Sequence, residues 1–353
     1  MELTLIFDYI IISIIASIAI NSVLRNYAKK YKLLIALPDR SRKFHKRPTP
    51  LTGGIAILVA LLLSSKLYID LNNLNGYVPE FTYNLVIASI PLVALFLIDD
   101  YKGISPLFRL LIQILCSLYI IQTTDVYLQD LGNLFGFGVV NLAIYSIPLT
   151  LFCIVGIMNA FNMIDGVNGL CSGCALVSMI LIGFYSGLVY DSMLILLVGS
   201  IIGFLIFNLR TFGKQRGVFL GDSGSNLIGF WVAWISIYAS QNELYTIYPI
   251  TLVWFVAIPL LDCIGLIFSR LFNKKNITSP GRDHIHHKLL NKYSPEKTLL
   301  IIIIISFVTG MLGIYLNNTY SSYVSMYCFV IYSILYYLYT YYFLNFIGES
   351  KHV

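Results

Sequence analysis

Charge is what this chain has least of. Only 11% of its 353 residues are Asp, Glu, Lys or Arg, against about 25% in ordinary soluble domains. With 58% hydrophobic residues and a mean hydropathy of +0.80, the chain falls among integral membrane proteins rather than soluble enzymes. No internal repeat, low-complexity linker or soluble appendage interrupts it, so a single polytopic domain over residues 1–353 is expected. No Lys or Arg precedes the first apolar run and no small-residue cleavage pattern follows it, which argues against a signal peptide. Zinc-type cysteine pairs are missing too. Cys171-x-x-Cys174 has neither a second pair nor thioredoxin-like surroundings. The six cysteines all lie in or beside apolar runs and read as small packing residues. The abundance of Ile, Asn, Tyr and Lys reads as base-composition bias.

What the chain does have is eleven stretches close to the ~20 apolar residues that cross a bilayer. They run at about 3–24, 51–70, 83–98, 106–121, 139–158, 170–189, 192–208, 224–240, 246–268, 298–316 and 323–345. The expected fold is all-α, with about eleven transmembrane helices, the shortest tilted or partly re-entrant.

The net charge of +6 is no nucleic-acid signal, because the positions of the cations explain it. Arg25, Lys29, Lys30, Lys32, Arg40, Arg42, Lys43, Lys46 and Arg47 lie between the first two spans, and Lys102 and Arg109 flank the third loop. Arg210, Lys214 and Arg216 follow, and more run from Arg270 to Lys297. Eleven crossings put all of these on one face and leave only Lys66 on the other. By the positive-inside rule that face is cytoplasmic, with the N-terminus outside and the C-terminus inside. Such a face also suits an anionic substrate or a lipid headgroup.

Polar residues gather at the same face. Asn159, Asn162, Asp165, Gly166, Asn168 and Gly169 form a knot between two uncharged runs, where polar groups facing lipid would go unsatisfied. An ordinary inter-helix turn has the same composition. Asp99-Asp100 ends the third span, and adjacent carboxylates at a membrane edge invite a cation or a raised pKa; a solvated helix end is the alternative. Gly221-Asp222-Ser223-Gly224-Ser225 opens the eighth span. Free N–H groups there suit phosphate and Asp222 suits a divalent cation, while simple N-capping by Asp222 or Ser223 is the other reading. Gly53-Gly54 at the start of the second span permits close backbone approach to a ligand. Asp262, deep in the ninth span, either pairs with Arg270 or helps hold the site. His284, His286 and His287 lack the Glu or fourth ligand of a zinc site, so phosphate contact or proton handling is the better reading.

Taken together and in order, four of these segments resemble the polyprenyl-phosphate N-acetylhexosamine-1-phosphate transferases. They are Asp99-Asp100, Asn159-x-x-Asn162-x-x-Asp165-Gly-x-x-Gly169-Leu170, Gly221-Asp222-x-Gly224-Ser225 and His284-Ile-His286-His287. The Arg42–Gly54 loop also looks like the first cytoplasmic loop of that family. The resemblance implies transfer of a sugar-1-phosphate from a UDP-sugar to a polyprenyl phosphate, with release of UMP and with Mg²⁺ or Mn²⁺. It implies a bacterial inner-membrane enzyme working from cytoplasmic loops at about 25–50, 99–105, 159–169, 209–223 and 270–297, with a homodimer allowed and no nucleic acid. Carried over by position, Asp222 is a metal ligand and Asn162 lies near the metal and the diphosphate. Asp99 activates the lipid phosphate and Asp100 supports it. Asp165 joins the catalytic set, as do His284, His286 and His287, which contact the sugar or the phosphates. Lys46, Gly54, Asn159, Gly166, Asn168 and Arg282 join the substrate-binding set, Asn168 near the uracil. Many bacterial members have Asp where this chain has Asn168, as the eukaryotic makers of the dolichol-linked precursor do not; no ligand or base role is assigned there.

The chemistry agrees with the resemblance. Joining two anions requires charge neutralisation and positioning more than covalent help, and little base strength is needed of Asp99. His-Ile-His-His resembles the antigen-initiating branch, so UDP-GlcNAc is the expected donor and undecaprenyl phosphate the acceptor, in the first step of a glycan such as O-antigen or teichoic acid. Another UDP-N-acetylhexosamine is the alternative within the family. A transporter normally shows repeated halves and broken helices, and the sequence shows neither; a lipid-binding scaffold would tolerate loss of the acids.

Overall fold

A computed structural model describes residues 3–37, 47–71, 80–242, 247–272, 274 and 283–340. Lys46 and Arg282, both expected to bind substrate, lie outside them. The helices in chain order are α1 (Leu3–Tyr31), α2 (Gly53–Leu71), α3 (Glu80–Lys102), α4 (Pro106–Thr124), α5 (Ser146–Ile164), α6 (Leu170–Ser186) and α7 (Ser192–Asn208). They continue with α8 (Gly221–Gln241), α9 (Pro249–Phe255), α10 (Ala257–Phe272), α11 (Ile285–Leu290), α12 (Pro295–Thr319) and α13 (Ser322–Leu338). A two-residue antiparallel pair, β1 (Ile35–Ala36) with β2 (Thr49–Pro50), is the sheet among the described residues. Among the described residues six helices are long and apolar enough to cross a membrane, or seven if the bent pair α9–α10 is one span. This is an all-α membrane protein.

The chain forms two compact units, residues 1–126 with 188–231, and 127–187 with 232–353. In the first, α1 meets α7 through small side chains. Ser13, Ser17 and Asn21 recur every fourth residue and are fully buried, and a Cβ at Gly199 or Gly203 would strike Ser13 or Ser17. Ser17 Oγ donates to Ser200 O at 2.7 Å. Small residues let membrane helices approach closely where no hydrophobic driving force exists between them. Polar groups here are paired as an apolar medium requires: Gln113 Nε2 donates to Asn226 Oδ1 at 2.7 Å and Trp231 Nε1 to Ser89 Oγ at 2.9 Å.

In the second unit the ninth apolar stretch is not a straight span. α9 and α10 meet at an 84° bend at Val256. The cause is local. Pro259 has no N–H for the carbonyl of Phe255 four residues back, and Ser178 Oγ donates to that carbonyl at 2.7 Å instead. A side-chain hydroxyl thus satisfies what the break exposes. A broken helix is therefore present where the sequence reading found none. Trp254 and Phe255 at the bend are buried; Trp254 Nε1 donates to Ser325 Oγ at 3.1 Å and its ring packs on Gly313.

Candidate active site

In the first unit the acids converge where α3 ends and α8 begins. Asp100 accepts from Asp222 N at 2.8 Å, Ser223 N at 3.1 Å and Ser223 Oγ at 2.8 Å. Its carboxylate therefore sits on the positive end of α8 and caps it. This corrects two expectations: these N–H groups are not free for phosphate, and the cap comes from α3 rather than from Asp222 or Ser223. Gly221 permits the approach. Its φ is +76°, and a Cβ there would lie 2.7 Å from Asp100 Oδ2.

Asp99, next in the chain, is spent differently. Its Oδ1 accepts from Ile104 N at 2.6 Å, and its Oδ2 forms an ion pair with Arg109 Nε at 2.7 Å. The same guanidinium reaches Asp222 Oδ2 through Nη1 at 3.3 Å. The Asp99 side chain is 1% exposed and that of Asp222 40%, so Asp222 is the carboxylate with an open side.

Gly54 belongs to this corner for a structural reason. Gly53 N and Gly54 N donate to Phe219 O and Leu220 O, each at 3.0 Å. A Cβ on Gly54 would lie 2.6 Å from Ser223 C and 2.7 Å from Gly224 Cα. The close approach that Gly54 permits is to the α8 backbone.

The second unit holds the knot and the histidines. Asn159 and Asn162 lie on the last turns of α5, and Asp165 caps it with its N–H on Asn162 O at 3.3 Å. Asn159 Nδ2 donates to Val155 O at 2.8 Å. The turn exposes Asp165 and Gly166, half-buries Asn162 and Asn168, and re-enters helix through Gly169 at φ +81°. His286 lies against this turn, since a Cβ on Gly166 would collide with its Nε2. The rings of His284, His286 and His287 cluster, with centroids 4.2 to 6.2 Å apart. Asp262 holds the group in place, accepting from His284 Nδ1 at 2.7 Å and from Ile285 N at 2.8 Å. Of the two readings of Asp262, these contacts favour the one in which it helps hold the site.

His286 is buried, with both ring nitrogens lacking a hydrogen-bond partner among the described residues. Burial, reinforced by His287 and His284, pushes its pKa well below the usual 6.5. The unfolded chain therefore binds the extra proton first, and stability falls as pH drops below about 6.5 toward the folded value. We expect the melting temperature to decline on acidification from pH 7.5 to 5.5, and His286→Gln to flatten that decline.

Residues 82–240 match the model of glycosyl transferase family 4. Three relatives are named undecaprenyl-phosphate alpha-N-acetylglucosaminyl 1-phosphate transferase. That of Yersinia pestis is 32% identical over 81% of this chain and 79% of its own length. That of Escherichia coli K12 is 31% identical over 82% and 78%. That of Haemophilus influenzae is 34% identical over 87% and 86%. The chain belongs to glycosyl transferase family 4.

As a member of glycosyl transferase family 4, the chain invites a test of its acids for a divalent cation. Among the described residues no three His, Cys, Asp or Glu side chains form a ready-made metal cage. Mg²⁺ does not need one; it binds one or two carboxylates and keeps water and substrate phosphate as its other ligands. Asp222 fits that requirement, as a hard oxygen donor, partly open and beside a second carboxylate. Asn162, the other expected ligand, belongs to the second unit. In the sequence Arg109 reads only as a loop charge, and Asp262 as a partner of Arg270 or a support for the site. A lone Arg ten residues past Asp99 carries no motif, and 22 residues separate Asp262 from His284.

Proposed function

We propose that this chain transfers GlcNAc-1-phosphate from UDP-GlcNAc to undecaprenyl phosphate, releasing UMP, as the first step of a cell-envelope glycan in a bacterial inner membrane. The observation that carries this reading is similarity, over four fifths of the chain, to relatives bearing that name. An oxygen of the lipid phosphate attacks the β-phosphorus of the donor. The bond from that phosphorus to the oxygen bridging to the α-phosphorus breaks, and UMP leaves with that oxygen. Asp222 would hold Mg²⁺ or Mn²⁺, which would supply charge neutralisation for the diphosphate; the family resemblance adds Asn162 as a further ligand. Arg109, paired with Asp99, receives the lipid phosphate in this reading; the phosphate competes for the guanidinium and frees Asp99 to take the last phosphate proton. Asp100 fixes the start of α8 and with it the position of Asp222. The histidines with Gly166 and Asn168 form the donor side, and Asp165, Asn159, Lys46 and Arg282 complete the proposed contacts. In this reading eleven crossings place the N-terminus outside and the C-terminus and active site in the cytoplasm.

A donor panel tests the reading. Purified protein with undecaprenyl phosphate and Mg²⁺ should release UMP from UDP-GlcNAc and not from UDP-GalNAc or UDP-MurNAc-pentapeptide. Release only from another UDP-sugar would change the donor, and release from none would favour a transporter or scaffold.

Asp262 gives a sharper expectation. A carboxylate only accepts, so it keeps the His284 proton on Nδ1. Asp262→Asn retains an acceptor for Ile285 N but turns an amide N–H toward His284, forcing the other tautomer. A hydrogen bond to a charged group is worth about 1.5–3 kcal/mol, so turnover should fall roughly tenfold or more with folding retained. Steady-state UMP release beside a melting curve checks this.

A further inference from the structure

The cytoplasmic end of α1, in the proposed topology, carries a second cationic feature that the catalytic cluster does not use. Arg25, Lys29, Lys214 and Arg216 line a cavity of about 420 Å³ together with Phe212, Gly213 and Gln215. Lys29 Nζ donates to Gln215 O at 2.6 Å and so ties the α1 end to this turn. Arg25 gives one nitrogen to Asn26 Oδ1 at 2.8 Å and sets its guanidinium 5.9 Å from the centre of the Phe207 ring. Its Nε and Nη1 are buried and have no hydrogen-bond partner among the described residues. Among the described residues none of the four cations meets a carboxylate there; the ion pairs found lie at Arg109 and His284. Four cations around one cavity, one of them a guanidinium with two nitrogens lacking a hydrogen-bond partner among the described residues, call for an anion.

The surroundings say which kind. Ile11, Ile15, Val23 and Tyr27 on α1 are all at least half exposed, and Phe212 and Leu209 are nearly so beside the cavity. A soluble phosphate would leave that apolar surface unused, whereas acyl chains would lie along it with the headgroup in the basic cavity. Interfacial aromatic residues next to basic ones are the usual anchors at this depth.

We infer that this cavity binds the phosphate diester of an anionic phospholipid, apart from the reacting lipid. The test is native mass spectrometry of the full chain in detergent with phosphatidylglycerol, phosphatidylcholine or glycerol 3-phosphate added. The wild type should hold one phosphatidylglycerol about tenfold more tightly than phosphatidylcholine. The double variant Lys214→Glu/Arg216→Glu, on an exposed turn, should lose that preference at an unchanged melting temperature. Arg25→Gln should weaken it in the same direction. Equal retention of both lipids by the wild type, or an undiminished preference in the double variant, would overturn the inference. Binding of glycerol 3-phosphate as strong as that of the lipid would overturn the lipid assignment and make the ligand a soluble phosphate ester.

Discussion

Asp222→Ala should reduce UMP release by at least about a hundredfold while leaving the melting temperature nearly unchanged. The two halves of this expectation rest on different atoms. The Asp222 carboxylate contacts Arg109 at 3.3 Å from a position 40% exposed, and exposed ion pairs are worth about 0–1 kcal/mol. The contact that anchors α8 uses the Asp222 backbone N–H on Asp100, which alanine retains. Removing a group that stabilises transition-state charge typically costs about 10²–10³ in turnover, and in the proposed mechanism Asp222 holds the cation that neutralises the diphosphate. Asp100→Ala should behave differently. It removes the acceptor for two backbone N–H groups and a hydroxyl, and loss of a cap costs about 1 kcal/mol. Stability and activity should therefore fall together. Melting curves and UMP release on both variants separate a chemical carboxylate from a structural one.

Gly54→Ala should be strongly damaging for a single added methyl. The added Cβ would meet backbone atoms of Ser223 and Gly224 at 2.6 and 2.7 Å, and backbone cannot rotate aside as a side chain can. Overpacking costs about 1–3 kcal/mol even where side chains can adjust. Here relief requires the start of α2 and the start of α8 to separate, which strains the Gly53–Phe219 and Gly54–Leu220 hydrogen bonds and carries Asp222 away from Arg109. Yield, melting temperature and turnover should all drop. Gly156→Ala is the control: it lies in α5 with nothing within 4 Å of its missing Cβ, so it should be neutral or slightly stabilising by helix propensity.

Hydropathy located the long helices but not the short α11 that carries His286 and His287, because only a run of about twenty apolar residues leaves few alternatives to a buried helix. All eleven apolar stretches carry helix, and hydropathy missed the bend as well. Composition does not register a broken hydrogen bond, although Pro259 marks the place. The break did not move the reading toward a transporter, since its freed carbonyl is taken by Ser178 and its neighbours Trp254 and Phe255 are buried and apolar. The site was visible as ordered motifs, yet the distribution of roles within them was not. Asp99 and Asp100 are adjacent and look equivalent in sequence; only packing shows one paired with Arg109 and the other capping α8. Gly54 reads in the sequence as room for a ligand, and packing adds that it is also room for the start of α8.

The account rests on which bond breaks, and one isotope experiment reports it. UDP-GlcNAc labelled with ³²P at the β-phosphate is incubated with the purified chain, Mg²⁺ and undecaprenyl phosphate, and the products are partitioned between organic and aqueous phases. Transfer of GlcNAc-1-phosphate predicts that the label enters the lipid phase while UMP appears unlabelled in the water. Label retained in aqueous UDP, with GlcNAc on the lipid, would show a sugar transferred without its phosphate and would contradict the mechanism built on Asp99, Arg109 and Asp222.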